Sequence, residues 1–184
     1  MGWRAQPTAQ VQMDACNVPA DNLLGIEGKG FKYAMEGLDG GRLNLAACSL
    51  GAAAQALKLA MTYRGERQAF GQTLDQFQAL QFKLAEMETN LSAARVFLRQ
   101  AAWKLDNNEP DATKYCAMAK MFVTDKCFDI ANDALQMLGG YGYLADYGIE
   151  KLVRDMRVHQ ILEGTNQIMR MIISRTMLIE RDRA

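Results

Sequence analysis

A carboxylate in a short stretch near the end of the chain is the first candidate for chemistry. Glu163 follows the apolar residue Leu162 and precedes Gly164 and Thr165. Thr165 is a favourable N-cap, and the backbone N–H groups at the start of a helix attract anions. Apolar neighbours also desolvate a carboxylate, which strengthens it as a general base. Glu163 is therefore either a base beside an anion-binding helix terminus or a solvated loop acid.

Two glycine-containing stretches stand out in the sequence, and the first of them could bind a phosphate. Residues 64–71 read Arg-Gly-Glu-Arg-Gln-Ala-Phe-Gly. Arginine offers paired donors to a phosphate, and glycine lets the backbone approach a ligand, so Arg67 is either a phosphate ligand or part of a solvated turn. Residues 136–142 read Gln-Met-Leu-Gly-Gly-Tyr-Gly without a preceding strand. That pattern predicts a helix stop and not a dinucleotide fingerprint.

The elements that position these residues are predicted to be helices. Apolar residues recur every three to four positions over 31–65, 80–105 and 111–138, which is the helical period. A shorter helix is predicted near 149–156 and a last one after Thr165. Because no βαβ alternation is present, we expect an all-α fold, an antiparallel four-helix-type bundle.

The N-terminal residues have a different pattern. Val11 and Met13 alternate with polar residues, a period of two that predicts a strand, and residues 18–22 predict a turn. A single strand cannot close a sheet. We therefore expect residues 1–27 to be a remnant strand and linker whose partners are absent.

Composition limits the classes of function. The chain of 184 residues is 49% hydrophobic and carries 21 basic and 21 acidic residues. No global field therefore attracts nucleic acid or an anionic membrane. We also expect no membrane span and no signal segment, hence a soluble intracellular protein. The four cysteines lie apart from one another and from histidine, which argues against a metal site, and Cys116 and Cys127 are expected to be buried.

Three of these motifs together resemble one known family. Residues 162–168, 67–71 and 136–142 occur in the order and at about the spacing found in the C-terminal part of acyl-CoA dehydrogenases. The resemblance covers nearly the whole chain. It implies that residues 1–27 are the end of a middle β-domain, that residues 28–184 are the C-terminal helical-bundle domain, and that the other domains are absent.

The resemblance also implies roles for individual residues. Glu163 would be the catalytic base, FAD would be the cofactor, and the loop at Arg67 would serve the flavin of a neighbouring subunit. The implied FAD-binding residues are Arg67, Gln68, Ala69, Phe77, Gln78, Gln136, Met137, Leu138, Gly139, Gly140, Thr165, Asn166 and Gln167. The implied substrate-binding residues are Asp39, Arg42 and Gly164. A structural hydrogen bond is expected for the only histidine, His159.

The implied reaction is α,β-dehydrogenation of an acyl-CoA thioester in a homodimer or homotetramer, with an electron-transfer flavoprotein as the electron acceptor. Some members carry the base on the first helix, near Gly41; Glu163 in the loop indicates the majority arrangement. Leu162 stands where many members have Tyr, which leaves room for a substituent at the α-carbon. With residues 38–42 and 131–136, this likeness is closest to the isobutyryl-CoA dehydrogenase branch.

Two other functions stay open at this stage. The chain could be a catalytically silent helical oligomerisation fragment, or part of an acyl-CoA oxidase, which shares the bundle. The expected location is the cytoplasm in a bacterium and the mitochondrial matrix in a eukaryote.

Overall fold

Five α-helices account for most of the computed structural model, which describes residues 1–182. They are α1 (Gly30–Glu66), α2 (Gln78–Asp106), α3 (Ala112–Leu138), α4 (Ile149–Met156) and α5 (Asn166–Arg181). Short 3₁₀ turns lie in several of the connections, and one of them, Arg157–Gln160, leads into the stretch that carries Glu163. The predicted all-α class is confirmed, and the short connections make successive long helices antiparallel neighbours.

Helix α3 lies at the centre of the bundle. It packs against α1, α2, α4 and α5, with the largest contact on α1. Its buried side includes Cys116 and Cys127, as the sequence predicts. Many of the fully buried side chains on α1 and α3 are small, which lets the two helices lie close together. These residues are Ala46, Ser49, Ala53, Ala56 and Ala60 on α1 and Ala117, Ala119, Ala131 and Ala134 on α3.

The predicted N-terminal strand is wrong for the part of the chain that the structure describes. Residues 9–13 have no strand geometry, and Val11 and Met13 are 79% and 78% exposed. An alternating pattern forms a strand only when a partner strand accepts its hydrogen bonds, and residues 1–182 provide none for it. The division of the chain at residue 27 stays a prediction.

A small hairpin that the sequence analysis did not predict connects α1 to α2. Strands β1 (Gln68–Ala69) and β2 (Gln72–Thr73) pair antiparallel, with Gln68 opposite Thr73. The turn between them has positive φ at Phe70 and at Gly71. The hairpin fixes the conformation of the chain directly after Arg67. Its strands have only two paired residues each, which are too few to produce a recognisable sequence pattern.

Helix α1 requires a correction to the expectation that no stretch approaches a membrane span. It contains an 18-residue window of mean hydropathy 1.3, so its length and composition alone would let it cross a membrane. In the structure 44% of that window is buried inside the bundle. Packing against the rest of the bundle accounts for the buried part of that window.

Candidate functional site

Glu163 lies in a tight turn between the 3₁₀ turn Arg157–Gln160 and α5. Its φ is 57° and that of Gly164 is 86°, so two successive residues adopt the left-handed conformation that is uncommon for a side chain other than glycine. The carboxylate reaches α1 at Gly41. A Cβ atom added to Gly41 would lie 2.5 Å from Glu163 Oε2. Any larger residue at position 41 would therefore displace the carboxylate.

Thr165 caps the helix that follows the turn, as predicted. Its Oγ1 accepts a hydrogen bond of 3.3 Å from the backbone N–H of Ile168. Helix α5 consequently begins at Asn166, and its first turn points its backbone N–H groups towards the loop that carries Glu163. The sequence prediction of a carboxylate beside a helix N-terminus thus describes the observed geometry.

A buried lysine donates hydrogen bonds to this turn from α3. The ammonium group of Lys120, on α3, donates hydrogen bonds of 2.8 Å to the carbonyl oxygen of Gly164 and 2.7 Å to Asn166 Oδ1. Burial lowers the pKa of Lys120 to about 8; the Asp125 carboxylate opposes this shift, Arg42 adds to it and Glu163 opposes it. The side chain is fully buried, and its nitrogen is the donor in both hydrogen bonds.

The sequence analysis missed Lys120, although a signal for it exists. It lies four residues after Cys116 and three before Val123, so it occupies a position on the apolar side of α3. A charged residue at a core position of a helix needs partners, and these come from other parts of the fold. The sequence position of Lys120 therefore indicates a buried charge that needs partners. It does not indicate which residues those partners are.

Asn166 is turned into the bundle. Its side chain is 3% exposed and donates hydrogen bonds of 2.6 Å to Asp125 Oδ1 and 3.0 Å to Thr124 Oγ1. Together with the hydrogen bond from Lys120, these contacts bind the side-chain amide of Asn166 to α3. Thr165, Asn166 and Gln167 all border a groove of about 230 Å³. A contact of any of the three with a cofactor stays a prediction.

The two residues expected to bind substrate on α1 are paired with each other. Arg42 Nη1 donates a hydrogen bond of 2.7 Å to Asp39 Oδ1, and Thr113 Oγ1 donates one of 2.6 Å to Asp39 Oδ2. Both side chains are buried, and Arg42 Nε has no hydrogen-bond partner among the described residues. Both lie within two residues of Gly41 on α1. Their contact with substrate stays a prediction.

A second group of predicted residues lines an open groove of about 420 Å³ at the other end of α1 and α3. The groove brings Arg67 together with the run from Gln136 to Tyr141, which lies about seventy residues further along the chain. The Arg67 guanidinium carbon is 5.4 Å from the centre of the Tyr141 ring, and no described carboxylate pairs with it.

Glycine keeps the backbone of this groove accessible. Gly139 ends α3 with φ 60° and ψ −139°, a conformation that side chains disfavour. A Cβ atom at Gly139 or Gly140 would have nothing within 4 Å. An open backbone, the Gln136 amide and a guanidinium without a carboxylate partner suit a phosphate-bearing ligand.

The remaining residues of the predicted cofactor set border the hairpin. Gln68 and Ala69 form β1, and Phe77 is the residue before α2, where its ring lies 6.3 Å from that of Phe70 in an edge-on arrangement. Gln78 is exposed at the start of α2. None of residues 163–167 lines the Arg67 groove. The predicted residues therefore form two separate groups on one chain.

Comparison with known proteins identifies the family. The model for the acyl-CoA dehydrogenase C-terminal domain matches residues 28–178. The chain belongs to the acyl-CoA dehydrogenase family. Isobutyryl-CoA dehydrogenase of Bos taurus, a mitochondrial protein, is 53% identical over 180 residues, which are 98% of this chain and 43% of the bovine protein.

Solved structures agree with this assignment. Butyryl-CoA dehydrogenase from Megasphaera elsdenii matches with a TM-score of 0.84 and 43% identity over 88% of this chain and 42% of that one. PigA, in a structure with FAD and proline, matches with a TM-score of 0.80 and 29% identity over 85% of this chain and 41% of that one. The predicted family is confirmed, and this acyl-CoA dehydrogenase chain spans less than half the length of these relatives.

His159 has the structural role that the sequence predicts, and it ties the N-terminal residues to the bundle. Its Nδ1 lies 2.7 Å from Ser49 Oγ on α1, and its Nε2 accepts a hydrogen bond of 3.1 Å from the indole N–H of Trp3. An indole nitrogen can only donate. Nε2 must therefore be unprotonated, and the ring proton sits on Nδ1, facing Ser49.

This network predicts a pH-dependent stability. Burial lowers the pKa of His159, with Asp155 opposing the shift and Lys120 adding to it. Unfolded chains therefore take up a proton below about pH 6.5, where the folded histidine resists it. The stabilisation is complete above that value and is lost as the pH falls through the folded pKa. Urea unfolding of this chain should give a lower free energy at about pH 5.5 than at about pH 7.5.

His159→Gln is the control, because glutamine keeps an acceptor for Trp3 but does not titrate. His159 is the only histidine in the chain, so the difference between the two pH values should shrink in this variant. An unchanged difference would show that other groups produce it.

Proposed function

We propose that this chain is the C-terminal part of a flavin-dependent acyl-CoA dehydrogenase that α,β-dehydrogenates a short branched acyl-CoA such as isobutyryl-CoA. The observation that carries the proposal is the position of Glu163. Its carboxylate is held by a left-handed turn against Gly41, beside the N-terminus of α5. A carboxylate fixed in this way is suited to accept a proton from a bound substrate.

The proposed reaction divides between the chain and its cofactor. Glu163 accepts the α-proton of the thioester, while hydrogen bonds to the thioester carbonyl stabilise the negative charge that develops there. The backbone N–H of Glu163 is the donor we propose for that carbonyl. When bound, FAD supplies the acceptor for the hydride that leaves the β-carbon. Loss of the proton and the hydride leaves a double bond between the α- and β-carbons.

The choice of acyl group rests on two observations. The bovine relative that is 53% identical acts, by its name, on isobutyryl-CoA. Leu162, directly before the proposed base, is smaller than the Tyr that the resemblance leads one to expect. The shorter side chain leaves space for a methyl substituent at the α-carbon. An electron-transfer flavoprotein is the proposed acceptor of the electrons, and a eukaryotic form would act in the mitochondrial matrix.

We further propose that two copies of the chain build each cofactor site, in a homodimer or homotetramer. The groove at Arg67 contains no residue of the Glu163 turn, so one chain offers two partial sites. Phe82, Val96 and Trp103 are exposed apolar residues of α2, separated by multiples of seven. A stripe of this kind is suited to contact a second copy across a two-fold axis.

An acyl-CoA oxidase and a catalytically silent oligomerisation fragment are the alternatives. Hydrogen peroxide formed in the absence of an electron-accepting dye would indicate the oxidase. The experiments below use a full-length form of the protein, in which the domains implied by the family precede residue 1. An absorption spectrum of this chain without flavin bands, measured beside that of the full-length form, would favour the silent fragment.

Glu163→Gln tests the proposed base. Glutamine nearly preserves the volume and the hydrogen bonding of glutamate but cannot accept the α-proton. Flavin reduction by isobutyryl-CoA should slow by at least about 10²-fold, while flavin content stays parental. Anaerobic stopped-flow bleaching of the flavin at saturating substrate measures this. Glu86→Gln, at an exposed position of α2, is the matched control, and a rate within about threefold of the parent in Glu163→Gln would place the base elsewhere.

Arg67→Ala tests the groove. Removing the guanidinium should weaken retention of FAD and leave the reduction rate close to parental once FAD is saturating, because Arg67 is proposed to bind a phosphate of FAD and not the reacting atoms. Equilibrium dialysis of the apoprotein against FAD gives the affinity. Arg175→Ala, at an exposed position of α5, should retain FAD as the parent does. Equal affinities in Arg67→Ala and Arg175→Ala would remove Arg67 from the cofactor site.

Mixed oligomers test whether two copies share a site. Glu163→Gln and Arg67→Glu chains are co-expressed, each with a different tag, and the doubly tagged oligomers are assayed at limiting FAD. If Arg67 of one copy serves the Glu163 of the other, each mixed pair has one intact site and one site with both changes. Activity should then appear that neither variant shows alone. Activity no higher than that of the two separate variants would mean that each site is built by one chain.

A further inference from the structure

The hydrogen bonds of Lys120 connect the centre of the bundle to the turn that carries Glu163. Its ammonium group is bonded to the Gly164 carbonyl oxygen at 2.8 Å and to Asn166 Oδ1 at 2.7 Å. Gly164 directly follows Glu163, and Asn166 is the first residue of α5. Lys120 therefore contacts both ends of the short stretch between the proposed base and the helix that follows it.

An apolar residue at position 120 would avoid the desolvation cost of burying an ammonium group. Lys120 is fully buried, and a buried ammonium group without a directly bonded carboxylate is expensive. Among the described residues its hydrogen-bond acceptors are a carbonyl and an amide oxygen. The charged groups that act on it are Asp125 of the same helix, Arg42 of α1 and Glu163 of the turn. Two of these three, Asp125 and Glu163, are acidic.

The turn needs such an anchor. Glu163 and Gly164 both have positive φ, and for Glu163, which is not glycine, this conformation persists only where surrounding contacts hold it. The carbonyl of Gly164 is the group whose direction is set by that conformation, and it points into the bundle at the Lys120 ammonium. Asn166 is held in turn by Asp125 and Thr124. The bonds of Lys120 thus fix the backbone on which the Glu163 side chain stands.

We propose that Lys120 is a positioning residue for the reaction, which holds the Glu163 carboxylate against Gly41 by fixing the Gly164 carbonyl and Asn166. This inference rests on the proposed function, because it gives Lys120 a part in the placement of the base. Lys120 itself does not contact Glu163 through a hydrogen bond and accepts no proton in the reaction. Its ammonium group acts through the backbone of the turn.

The first experiment examines the turn without any assay of activity. In Lys120→Met, which keeps the length of the side chain and removes its donors, the amides of Ile168 and Met169 should exchange hydrogen at least about tenfold faster than in the parent. Both amides donate to Thr165, so they report on release of the turn. Lys126→Met, on the same helix with a side chain 40% exposed, should exchange as the parent does. Parental exchange in Lys120→Met would overturn the anchor.

The second experiment measures the placement of the base in the full-length form. Flavin reduction by isobutyryl-CoA should slow by about 10–100-fold in Lys120→Met, as expected when a reacting group is displaced by about 1 Å. The dissociation constant of the acyl-CoA should change by less than about threefold, because the change displaces the base and not the substrate. A lysine with only a structural role would lower stability and leave the reduction rate of the folded protein at the parental value.

Glu163→Gln, measured alongside, separates this inference from the proposed function. If Glu163→Gln slows flavin reduction and Lys120→Met does not, the positioning role is overturned and the proposed function stands. If Glu163→Gln has the parental rate, the proposed function fails, and Lys120 has no base to position. Lys120→Leu, which also removes the donors and has a smaller side chain, gives the same two readouts if Lys120→Met does not fold.

Discussion

The close approach of α1 and α3 is the constraint on which the rest of the structure depends. Small side chains on the two helices let them pack with little space between them, with Ala53, Ala119 and Ala131 fully buried. Close packing of this kind makes the helices a rigid pair, since core side chains sit at crystal-like density. The pair positions Gly41 of α1 and Lys120 of α3 on either side of the turn at Glu163. It also brings the end of α3 to Arg67, which follows the end of α1.

Helical periodicity in the sequence was sufficient to predict the bundle. The order and type of all five helices follow from apolar spacing and from the cap at Thr165, because these signals act within a few residues of one another. Local sequence patterns gave a wrong prediction, or none, for strands, because a strand forms only when a second strand pairs with it. The alternation at Val11 and Met13 reads as a strand, but a strand forms only when another strand accepts its bonds. The hairpin after Arg67 is too short to produce a pattern at all.

The same distinction applies to the candidate site. Glu163 and Arg67 could be found because a carboxylate before Gly-Thr and an arginine among glycines are visible in the sequence. The inward direction of Asn166 could not be found, because its partners Asp125 and Thr124 lie about forty residues away on α3. The pairing of Asp39 with Arg42 was within reach, since the two lie three residues apart on one helix. Their burial, however, depends on the packing of α1 against α3.

The strain of the Glu163 turn can be compared with the energy of the hydrogen bonds that hold it. A residue other than glycine at positive φ costs about 1–3 kcal/mol, which applies here to Glu163. A neutral hydrogen bond contributes about 0.5–1.5 kcal/mol, whereas a bond to a charged group contributes about 1.5–3 kcal/mol. The two bonds of the Lys120 ammonium are therefore of the size needed to offset this strain, against the desolvation cost of burying the ammonium group. Loss of the Lys120 ammonium would also remove the donor that the Gly164 carbonyl oxygen has inside the bundle. The conformation of the base is thus a property of the bundle core.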